Sequence, residues 1–209
     1  MPAQPGSPLL EKASLRRHYR SQRRQVLVAV SEGLRRVACS ALPQRVAPGQ
    51  WLGLYWPIAG EPDLAPWAPG GLAERLAACG DGPRLALPAV LPPRGAEPHG
   101  SLIYRPWRRG AALRPDACGI PAPLPDQGLA PQDLALLLVP ALALDRRGVR
   151  LGSGGGWYDR LRSDPRWRSV PALAVLPSAC RCEALPADPW DVPFDGWLDE
   201  QGLGWCFPA

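Results

Sequence analysis

The sequence is short of lysine, histidine and long apolar runs, and each shortage argues against a class of protein. Lys12 is the only lysine among the 24 Lys and Arg residues, and no lysine follows the glycine-rich stretch at 152–156, which excludes a Walker A loop there. The only two histidines, His18 and His99, have no serine or cysteine near them in a known pattern, which argues against a nucleophile-driven hydrolase. No run of about 18 apolar residues is present, so we expect no membrane-spanning helix.

The cysteines do not form a recognisable metal motif. Only Cys180 and Cys182 lie close together, without a second pair or a nearby histidine, whereas a zinc site needs four ligands. We therefore expect free thiols at all six positions, which are Cys39, Cys79, Cys118, Cys180, Cys182 and Cys206. The first residues contain no charged region followed by an apolar run and a cleavage site, so we expect a cytoplasmic protein.

Length and composition indicate one folded domain that prefers anionic partners. Hydrophobic residues make up 46% of the 209 residues and charged residues 21%, which is typical of a globular protein. Neither end is long enough for a second domain, so we expect residues 1–209 to form one domain. The formal net charge is +5, which favours nucleotides, polyanionic metabolites, nucleic acid or membrane surfaces without choosing among them.

Helix signals and apolar runs alternate along the chain. Ser7 and Pro8 are typical of a helix start, and we expect a helix to about residue 30, followed by a second one from Ser31 to Leu42. The other helices are expected at 70–80 and from 157, and the strands at 51–56, 84–90, 101–107, 134–142, 170–176 and 194–200. The proline-rich stretch 118–128 is expected to be a surface loop. This alternation predicts an α/β fold, a single three-layer domain with a largely parallel or mixed central sheet flanked by helices.

The stretch RLGSGGGWYDR, residues 150–160, follows the run 134–142, which is the strongest candidate for a strand buried on both faces. Ligands of such sheets bind beyond the carboxyl ends of the strands. Successive glycines let the backbone turn N–H groups toward an anion, and a helix from 157 adds its positive end. Arg150 can neutralise phosphate charge, and Asp159 can hold Mg²⁺. A tight turn without a ligand is the alternative interpretation of the glycines.

Two other glycine motifs do not fit this stretch. The dinucleotide fingerprint would need a glycine where Trp157 stands, and the nucleophile elbow around Ser153 would need one where Leu151 stands. The residues by themselves therefore predict an anion site that matches no common motif.

The segment LLLVPALALDRRGVRLGSGGGWYDRLRS, residues 136–163, resembles the central signature of the 5-formyltetrahydrofolate cyclo-ligase (5,10-methenyltetrahydrofolate synthetase) family. Further blocks of the family occur in the same order. They are the K-x-x-x-R pattern of Lys12 and Arg16, GLYWPIAGEPD, LALPAV, LIYRPW, GIPAP and LPADPWDVPFD. The resemblance thus covers most of the chain.

This resemblance implies an ATP- and Mg²⁺-dependent enzyme that converts 5-formyltetrahydrofolate to 5,10-methenyltetrahydrofolate and releases ADP and phosphate. In the implied mechanism the formyl oxygen attacks the γ-phosphorus of ATP, and N10 then closes the ring and displaces phosphate. Catalysis would consist mostly of positioning and charge neutralisation. The implied partners are 5-formyltetrahydrofolate and ATP, with no nucleic acid and no membrane, and we expect a monomer.

The same resemblance implies roles for individual residues. Lys12, Arg150 and Asp159 are the implied catalytic residues. Asp159 and Asp191 are the implied Mg²⁺ ligands, with Asp195 as the next candidate for the second ligand and Asp188 ranked after it. The implied ATP-binding residues are Lys12, Arg16, Arg150, Leu151, Gly152, Ser153, Gly154, Gly155, Gly156, Trp157 and Tyr158. The implied folate-binding residues are Trp56, Glu61, Ser153, Gly154, Gly155, Gly156 and Trp157.

The chemistry of these residues suits the implied roles. Lys12 and Arg16 are four residues apart, which puts both on one helix face. The carboxylate of Glu61 can accept hydrogen bonds from the N–H edge of a pterin, and the ring of Trp56 can pack against it. The chain departs from the family pattern at positions that affect packing and substrate fit, which are Ala141, Leu144, Ser153, Trp157 and Trp190.

Two alternatives stay open. A different ATP- or phosphate-dependent enzyme would use the same scaffold without a role for Glu61 and Trp56. A nucleic-acid-binding module is suggested by the basic first helix, although such helices usually present a solvated face and no reader motif accompanies this one. The arginines of that helix are Arg16, Arg17, Arg20, Arg23 and Arg24.

Overall fold

The computed structural model describes residues 8–66, 68–78, 84–95, 98–124 and 127–206. The helices in these residues are α1 (Pro8–Ala41), α2 (Leu72–Ala77), α3 (Trp157–Ser163) and α4 (Pro165–Arg168). The strands are β1 (Trp51–Gly53), β2 (Arg84–Leu91), β3 (Ser101–Trp107), β4 (Leu113–Pro115), β5 (Pro121–Pro123), β6 (Leu134–Pro140), β7 (Ala143–Asp145), β8 (Arg150–Leu151), β9 (Ala172–Val175), β10 (Arg181–Cys182), β11 (Gly196–Leu198) and β12 (Leu203–Trp205).

Seven of the described strands form the main sheet, in the order β12-β11-β9-β6-β1-β2-β3. The five inner strands are mutually parallel, and β12 and β3 are antiparallel edge strands. A small sheet contains β10, β7 and β8, and a two-stranded ribbon contains β4 and β5. The mixed main sheet confirms the predicted α/β fold.

The central strand β6 alternates its side chains between two cores. Leu136 and Leu138 belong to one core cluster, and Leu137 and Val139 belong to the other. All four are at most 3% exposed, because β6 has a parallel neighbour on each side and helices cover both faces of the sheet. Burying one such side chain contributes roughly 1.5–3 kcal/mol. This burial on both faces confirms the prediction for the run that begins at residue 134.

Helices lie on the two faces of the sheet and complete the three layers. On one face, Leu34 of α1 packs in the same core cluster as Leu72 and Leu76 of α2. On the other face, Leu161 of α3 belongs to the second cluster, and Trp167 of α4 packs against it. The second cluster also includes Ala172 at the start of β9.

The first helix is continuous, so the predicted break at Ser31 is wrong. The helix Pro8–Ala41 runs for 34 residues, and the Ser31 hydroxyl donates to the carbonyl of Leu27, 2.6 Å away, instead of capping a new helix. Such a bond to the preceding turn is compatible with a helix interior. Leu34 is 1% exposed, so packing beyond residue 31 outweighs the local capping signal. The predicted cap Ser7 lies outside the described residues.

Several short elements differ from the predictions. β1 ends at Gly53 instead of residue 56, and the residues after it form part of a cavity wall. The stretch 118–128, predicted as a loop, contains β5, which pairs with β4 across a turn where Gly119 has a φ of +76°. The hairpin of β7 and β8 separates β6 from the glycine loop, residues 152–156. A further strand that was not predicted, β12, follows β11.

The remaining predicted strands and helices are confirmed. The strands are β2, β3, β6, β9 and β11, and the helices are α2 and the start of α3 at Trp157. The described cysteines Cys39, Cys118, Cys180, Cys182 and Cys206 are free thiols, as expected. Cys79 lies outside the described residues. None of the helices described is both long enough and apolar enough to cross a membrane.

Candidate active site

A cavity of about 340 Å³ lies beyond the carboxyl ends of β1, β2 and β6. Tyr55 and Trp56 follow β1, Val90 lies near the end of β2, and Pro140 ends β6. The chain passes from β1 to β2 on one side and from β6 to β9 on the other, so the strand order reverses at this cavity. Such switch points are the usual ligand sites of parallel α/β sheets.

Every residue that the resemblance assigns to catalysis, ATP, folate or Mg²⁺ lines this cavity. These residues are Lys12, Arg16, Trp56, Glu61, Arg150, Leu151, Gly152, Ser153, Gly154, Gly155, Gly156, Trp157, Tyr158, Asp159 and Asp191. They come from α1, from the segment after β1, from the glycine loop and from the segment after β10. The fold therefore brings together residues that are up to 179 positions apart in the chain.

The next candidate metal ligand, Asp195, is not among the residues that line the cavity. Its Oδ2 accepts a hydrogen bond from the N–H of Ala172 at 2.7 Å and lies 3.4 Å from the guanidinium of Arg162. These contacts give Asp195 a structural role beside β9. The structure instead brings Asp188, which ranked last, to the cavity.

The loop from Gly152 to Gly156 has the backbone conformation that its glycines allow. The φ angle is +111° at Gly154 and +64° at Gly156, the residue before α3, and a Cβ is strained in this region. Within the described part of the chain, no acceptor pairs with the N–H groups of residues 153–156. The loop therefore presents unpaired backbone donors, an arrangement suited to an anion.

Three arginines of α1 donate hydrogen bonds to backbone carbonyls around the cavity. The bonds are Arg16 to Gly152 (3.2 Å), Arg20 to Ser153 (2.9 Å) and Arg23 to Ala141 (3.1 Å). The interpretation of this basic stripe as a solvated face is therefore wrong for Arg16 and Arg23, whereas Arg17, Arg20 and Arg24 are exposed, and of these Arg20 bonds to the loop from the surface. Most of the stripe that suggested nucleic-acid binding is occupied with contacts inside the protein.

Arg150 is a buried cation in the cavity wall. Its side chain is 6% exposed, and its Nη2 lies 3.2 Å from Asp159 Oδ1 while its Nη1 donates to the carbonyl of Pro140 at 3.2 Å. Its guanidinium carbon lies 5.6 Å from the ring centre of Tyr158 and 5.2 Å from that of Phe194. Arg150 Nε is buried without a hydrogen bond to any described residue. These contacts hold the guanidinium in one position.

The turn that precedes Arg150 depends on Asp145, which is 2% exposed. Its Oδ1 accepts from the N–H of Arg147 at 2.9 Å, and its Oδ2 accepts from the N–H of Leu185 at 3.0 Å. Gly148 has a φ of +82°, and a Cβ there would lie 2.2 Å from the carbonyl oxygen of Phe194. Asp145 carries none of the roles implied by the resemblance, although an aspartate three positions before a glycine is a typical turn signal.

Lys12 contacts two carboxylates at the edge of the cavity. Its Nζ lies 2.6 Å from Asp188 Oδ2 and 2.7 Å from Asp191 Oδ2. Burial alone would lower the pKa of Lys12, but the hydrogen bonds and charges of the two aspartates outweigh it and raise the pKa. Lys12 is therefore a charged ammonium at neutral pH. One cation and two carboxylates leave a net negative charge here, the sign that a metal cation needs.

The oxygen ligands at the cavity fit Mg²⁺ only if a bound phosphate completes the site. No group of three or more His, Cys, Asp or Glu side chains suited to a metal occurs among the residues described. Mg²⁺ usually takes one or two carboxylates together with phosphate and water. Asp159 and Asp191 provide such carboxylates, and they already contact Arg150 and Lys12. A metal would share each aspartate with a cation of the protein.

Glu61 lies in another wall of the cavity. Its Oε2 accepts a hydrogen bond from the N–H of Ile58 at 3.2 Å. Burial raises the pKa of Glu61, and the Ile58 N–H and the charges of Arg23 and Arg150 offset only part of this effect. Burial and the charge of Glu61 also raise the pKa of Tyr158. This wall therefore combines a partly desolvated carboxylate with an un-ionised tyrosine.

The cavity contains further side chains that the sequence analysis did not assign. Asp116 accepts hydrogen bonds from the N–H groups of Val90 (2.9 Å) and Ile120 (3.0 Å), so it fixes a loop that forms part of the wall. Trp190 is 66% exposed, although it lines the cavity. The apolar lining comes from Tyr55, Ile58, Pro88, Val90, Leu102 and Ile120. All six lie within the family blocks named above, so the motifs covered them, but only the fold shows that their side chains face one cavity.

Both histidines lie outside the set of residues that line the cavity. His18 and His99 are exposed, and the ring of His18 meets that of Tyr19 edge-on at 4.9 Å. The described site therefore has no histidine base for a nucleophile, in agreement with the sequence analysis.

Fold and site together define a three-layer α/β protein with a glycine loop of unpaired backbone N–H groups at the strand switch point. Comparison with known proteins then identifies the family. The model of the 5-formyltetrahydrofolate cyclo-ligase family matches residues 81–199, which is more than half of the chain. The protein therefore belongs to this family of ATP-dependent ligases, as its motifs indicated.

Individual relatives agree with this assignment. The 5-formyltetrahydrofolate cyclo-ligase of Mycolicibacterium smegmatis is 30% identical over 185 residues, which cover 87% of this chain and 89% of that protein. The Haemophilus influenzae protein of the same name is 38% identical over 61 residues, which cover 29% of this chain and 33% of that protein. The solved structure of the Aquifex aeolicus 5,10-methenyltetrahydrofolate synthetase has a TM-score of 0.67 and 28% identity and covers 95% of this chain and 94% of that one.

Proposed function

We propose that the protein converts 5-formyltetrahydrofolate to 5,10-methenyltetrahydrofolate with consumption of ATP in the presence of Mg²⁺. The observation that carries this proposal is the common cavity. Cations, glycine-loop donors, two aspartates and Glu61 come from distant parts of the chain and line one space of about 340 Å³, in a chain that belongs to the cyclo-ligase family.

The phosphate end of the cavity is the side with the glycine loop. The unpaired N–H groups of residues 153–156 and the guanidinium of Arg150 would bind phosphate oxygens, because fixed donors stabilise transferred charge without reorganising. Lys12 and Arg16 would add charge from α1. Asp159 and Asp191 would hold Mg²⁺, which neutralises phosphate charge when it is bound.

The folate end of the cavity is the side with Glu61 and Trp56. Glu61 would accept hydrogen bonds from the N–H edge of the pterin, which would replace the water that burial has removed from the carboxylate. Trp56 and the apolar lining would pack against the ring system. A substrate without such an N–H edge would leave Glu61 with the N–H of Ile58 but no donor from the ligand, which favours a folate over other phosphate acceptors.

The chemistry that fits this arrangement proceeds in two displacements. The formyl oxygen attacks the γ-phosphorus and ADP leaves, so the formamide oxygen becomes a phosphate ester. N10 then attacks the formyl carbon, loses its proton and expels inorganic phosphate, which carries away the former formyl oxygen. The protein contributes mainly by holding the γ-phosphate near the formyl oxygen and by neutralising charge.

The direct test follows the absorbance of the methenyl product. Purified protein is incubated with 5-formyltetrahydrofolate and Mg²⁺ at neutral pH, with and without ATP, beside a reaction without protein. We expect product only when protein and ATP are both present, with one phosphate released per product formed. Folded protein that gives no product, or product that forms equally without ATP, would contradict the proposal.

We further propose that the protein acts as a monomer, because one chain supplies the described lining of the cavity from α1 to the segment after β10. Sedimentation equilibrium at the concentration of the activity assay would measure its mass. A stable dimer would overturn the monomer.

A further inference from the structure

Two arginines contact the glycine loop without lining the cavity. Arg20 Nη2 donates to the carbonyl of Ser153 at 2.9 Å, and Arg160 Nη2 donates to the carbonyl of Gly155 at 2.9 Å. Neither arginine is among the residues that line the cavity. They approach the loop from α1 and from α3, so its carbonyl oxygens are held from two directions.

Because the peptides are trans, a hydrogen bond to a carbonyl of the loop also fixes the direction of the next N–H group. In a trans peptide the C=O of one residue and the N–H of the next point in opposite directions, and the described chain has no cis peptide. Binding of the carbonyls of Ser153 and Gly155 by arginines therefore directs the N–H groups of Gly154 and Gly156 away from those arginines. Both glycines line the cavity.

The loop needs such a constraint because its glycines allow many backbone conformations. A peptide that rotated by half a turn would place a carbonyl oxygen, instead of an N–H group, toward a phosphate. Gly154 and Gly156 already have φ angles of +111° and +64°, a region that glycine populates about as readily as its mirror image. The glycines therefore do not select one backbone conformation by themselves, and contacts from residues outside the loop are needed to select it.

The guanidinium groups of Arg20 and Arg160 have no carboxylate partner in the described structure. Neither forms an ion pair with a described carboxylate, and Arg160 also lies over the ring of Trp157, with 4.5 Å between its guanidinium carbon and the ring centre. The hydrogen bonds to the loop are therefore the main polar contacts of both side chains. Both side chains are exposed, so a defined carbonyl partner on the loop, and not burial, distinguishes them from other surface arginines.

We propose that Arg20 and Arg160 are positioning residues that orient the N–H groups of the glycine loop toward the nucleotide phosphates without touching the nucleotide. This inference rests on the proposed function, because it takes the anion at the loop to be ATP. It assigns a role to two arginines that neither the motif pattern nor the cavity lining identifies.

The test compares Arg20→Gln and Arg160→Gln with a matched control, Arg24→Gln. Arg24 is exposed one turn further along α1, so its replacement removes the same charge from the same helix. The affinity for an unreactive ATP analogue with Mg²⁺ is measured by calorimetry, and KM values for ATP and for 5-formyltetrahydrofolate are measured by product absorbance. Arg20→Lys keeps a charged donor and serves as the conservative variant.

We expect Arg20→Gln and Arg160→Gln to weaken analogue binding and raise the KM for ATP by about two- to tenfold, since each removes one exposed hydrogen bond of ordinary strength. The melting temperature should change little, and the KM for 5-formyltetrahydrofolate should rise less than the KM for ATP, because Glu61 and Trp56 still bind the pterin. Arg20→Lys should recover much of the affinity, and Arg24→Gln should behave like the wild type.

Several results would overturn the inference. They are unchanged analogue affinity in both glutamine variants, an equal loss in Arg24→Gln, or a parallel loss for both substrates with a lower melting temperature. If the wild type binds the analogue but makes no product, the proposed function fails while the affinity comparison still decides the role of the arginines. If the wild type binds no nucleotide, both proposals fail.

Discussion

Replacement of Gly152 by alanine tests whether the fixed position of Arg150 matters for nucleotide use. A Cβ at residue 152 would lie 2.6 Å from Arg150 Nη1 and 2.9 Å from Nη2, which is closer than such atoms normally approach. A guanidinium at the end of a flexible side chain could usually move aside. Arg150 has little room to move, because the carbonyl of Pro140, the carboxylate of Asp159 and two aromatic rings surround it.

The magnitude of this effect follows from the burial of Arg150. Overpacking of a filled site costs about 1–3 kcal/mol, and for a chain of this length each kcal/mol lowers Tm by about 2–4 °C. We therefore expect Gly152→Ala to melt about 2–12 °C below the wild type. A displaced guanidinium would also lose a charged hydrogen bond to phosphate, which raises the KM for ATP about tenfold.

Thermal melts and ATP kinetics measure the two effects, and Gly128→Ala is the matched control. A Cβ at Gly128 would lie 3.4 Å from the nearest atom, Ile103 Cδ1, an ordinary contact, and Gly128 does not line the cavity. We expect this control to resemble the wild type in both measurements. A Gly152→Ala protein with wild-type Tm and wild-type KM for ATP would show that Arg150 moves freely, and the argument from its packing would be wrong.

Other residues of the cavity give two more predictions. Lys12→Ala and Asp159→Asn should each lower kcat/KM for ATP about 100-fold or more, since each removes a charge that faces the phosphate or the metal. Circular dichroism should show an unchanged fold in both variants. Near-normal activity in both would contradict the phosphate assignment. Glu61→Gln should raise Tm at pH 7 and raise the KM for 5-formyltetrahydrofolate. Burial raises the pKa of Glu61, so its ionisation in the folded state costs stability as pH rises above the ordinary value of about 4.3. The gain in Tm of Glu61→Gln over the wild type should therefore shrink toward pH 4, and thermal melts at pH 7 and pH 4 measure it. A gain that is the same at both pH values would show that ionisation of Glu61 is not its cause.

The parts of the fold that could be predicted are those with a strong local pattern. β6 has an apolar residue at nearly every position because both of its faces are buried, and this pattern is visible in the sequence without any partner. The glycine loop is visible for a similar reason, since its backbone conformation excludes most other residues. The motif blocks add the identity of the site residues, and those residues do lie around one cavity.

The wrong predictions concern places where tertiary contacts decide between local alternatives. Serine is a common helix cap, so Ser31 suggested a new helix start. Leu34, in the next turn, is buried in the core instead, and the chain continues as one helix. The hairpin before Arg150 is short, and its turn is stabilised by Asp145, whose Oδ2 accepts from the N–H of Leu185, 40 positions later. Asp195 and Asp188 could not be ranked from spacing, because only the fold determines which aspartate meets Lys12 and which one meets β9.

The arginines of α1 show why the first helix could not be interpreted from its composition. Lys12 pairs with aspartates, whose positions are visible in the sequence. Arg16, Arg20 and Arg23 instead bind backbone carbonyls that lie 118 to 136 positions away, and every residue of a chain carries such a carbonyl. A basic helix face that is exposed to solvent and one that bonds to the glycine loop therefore have the same sequence pattern. The difference lies in which loop packs against the helix, so the hydrogen-bonding role of these arginines becomes visible only when α1 and the glycine loop are placed together in the fold.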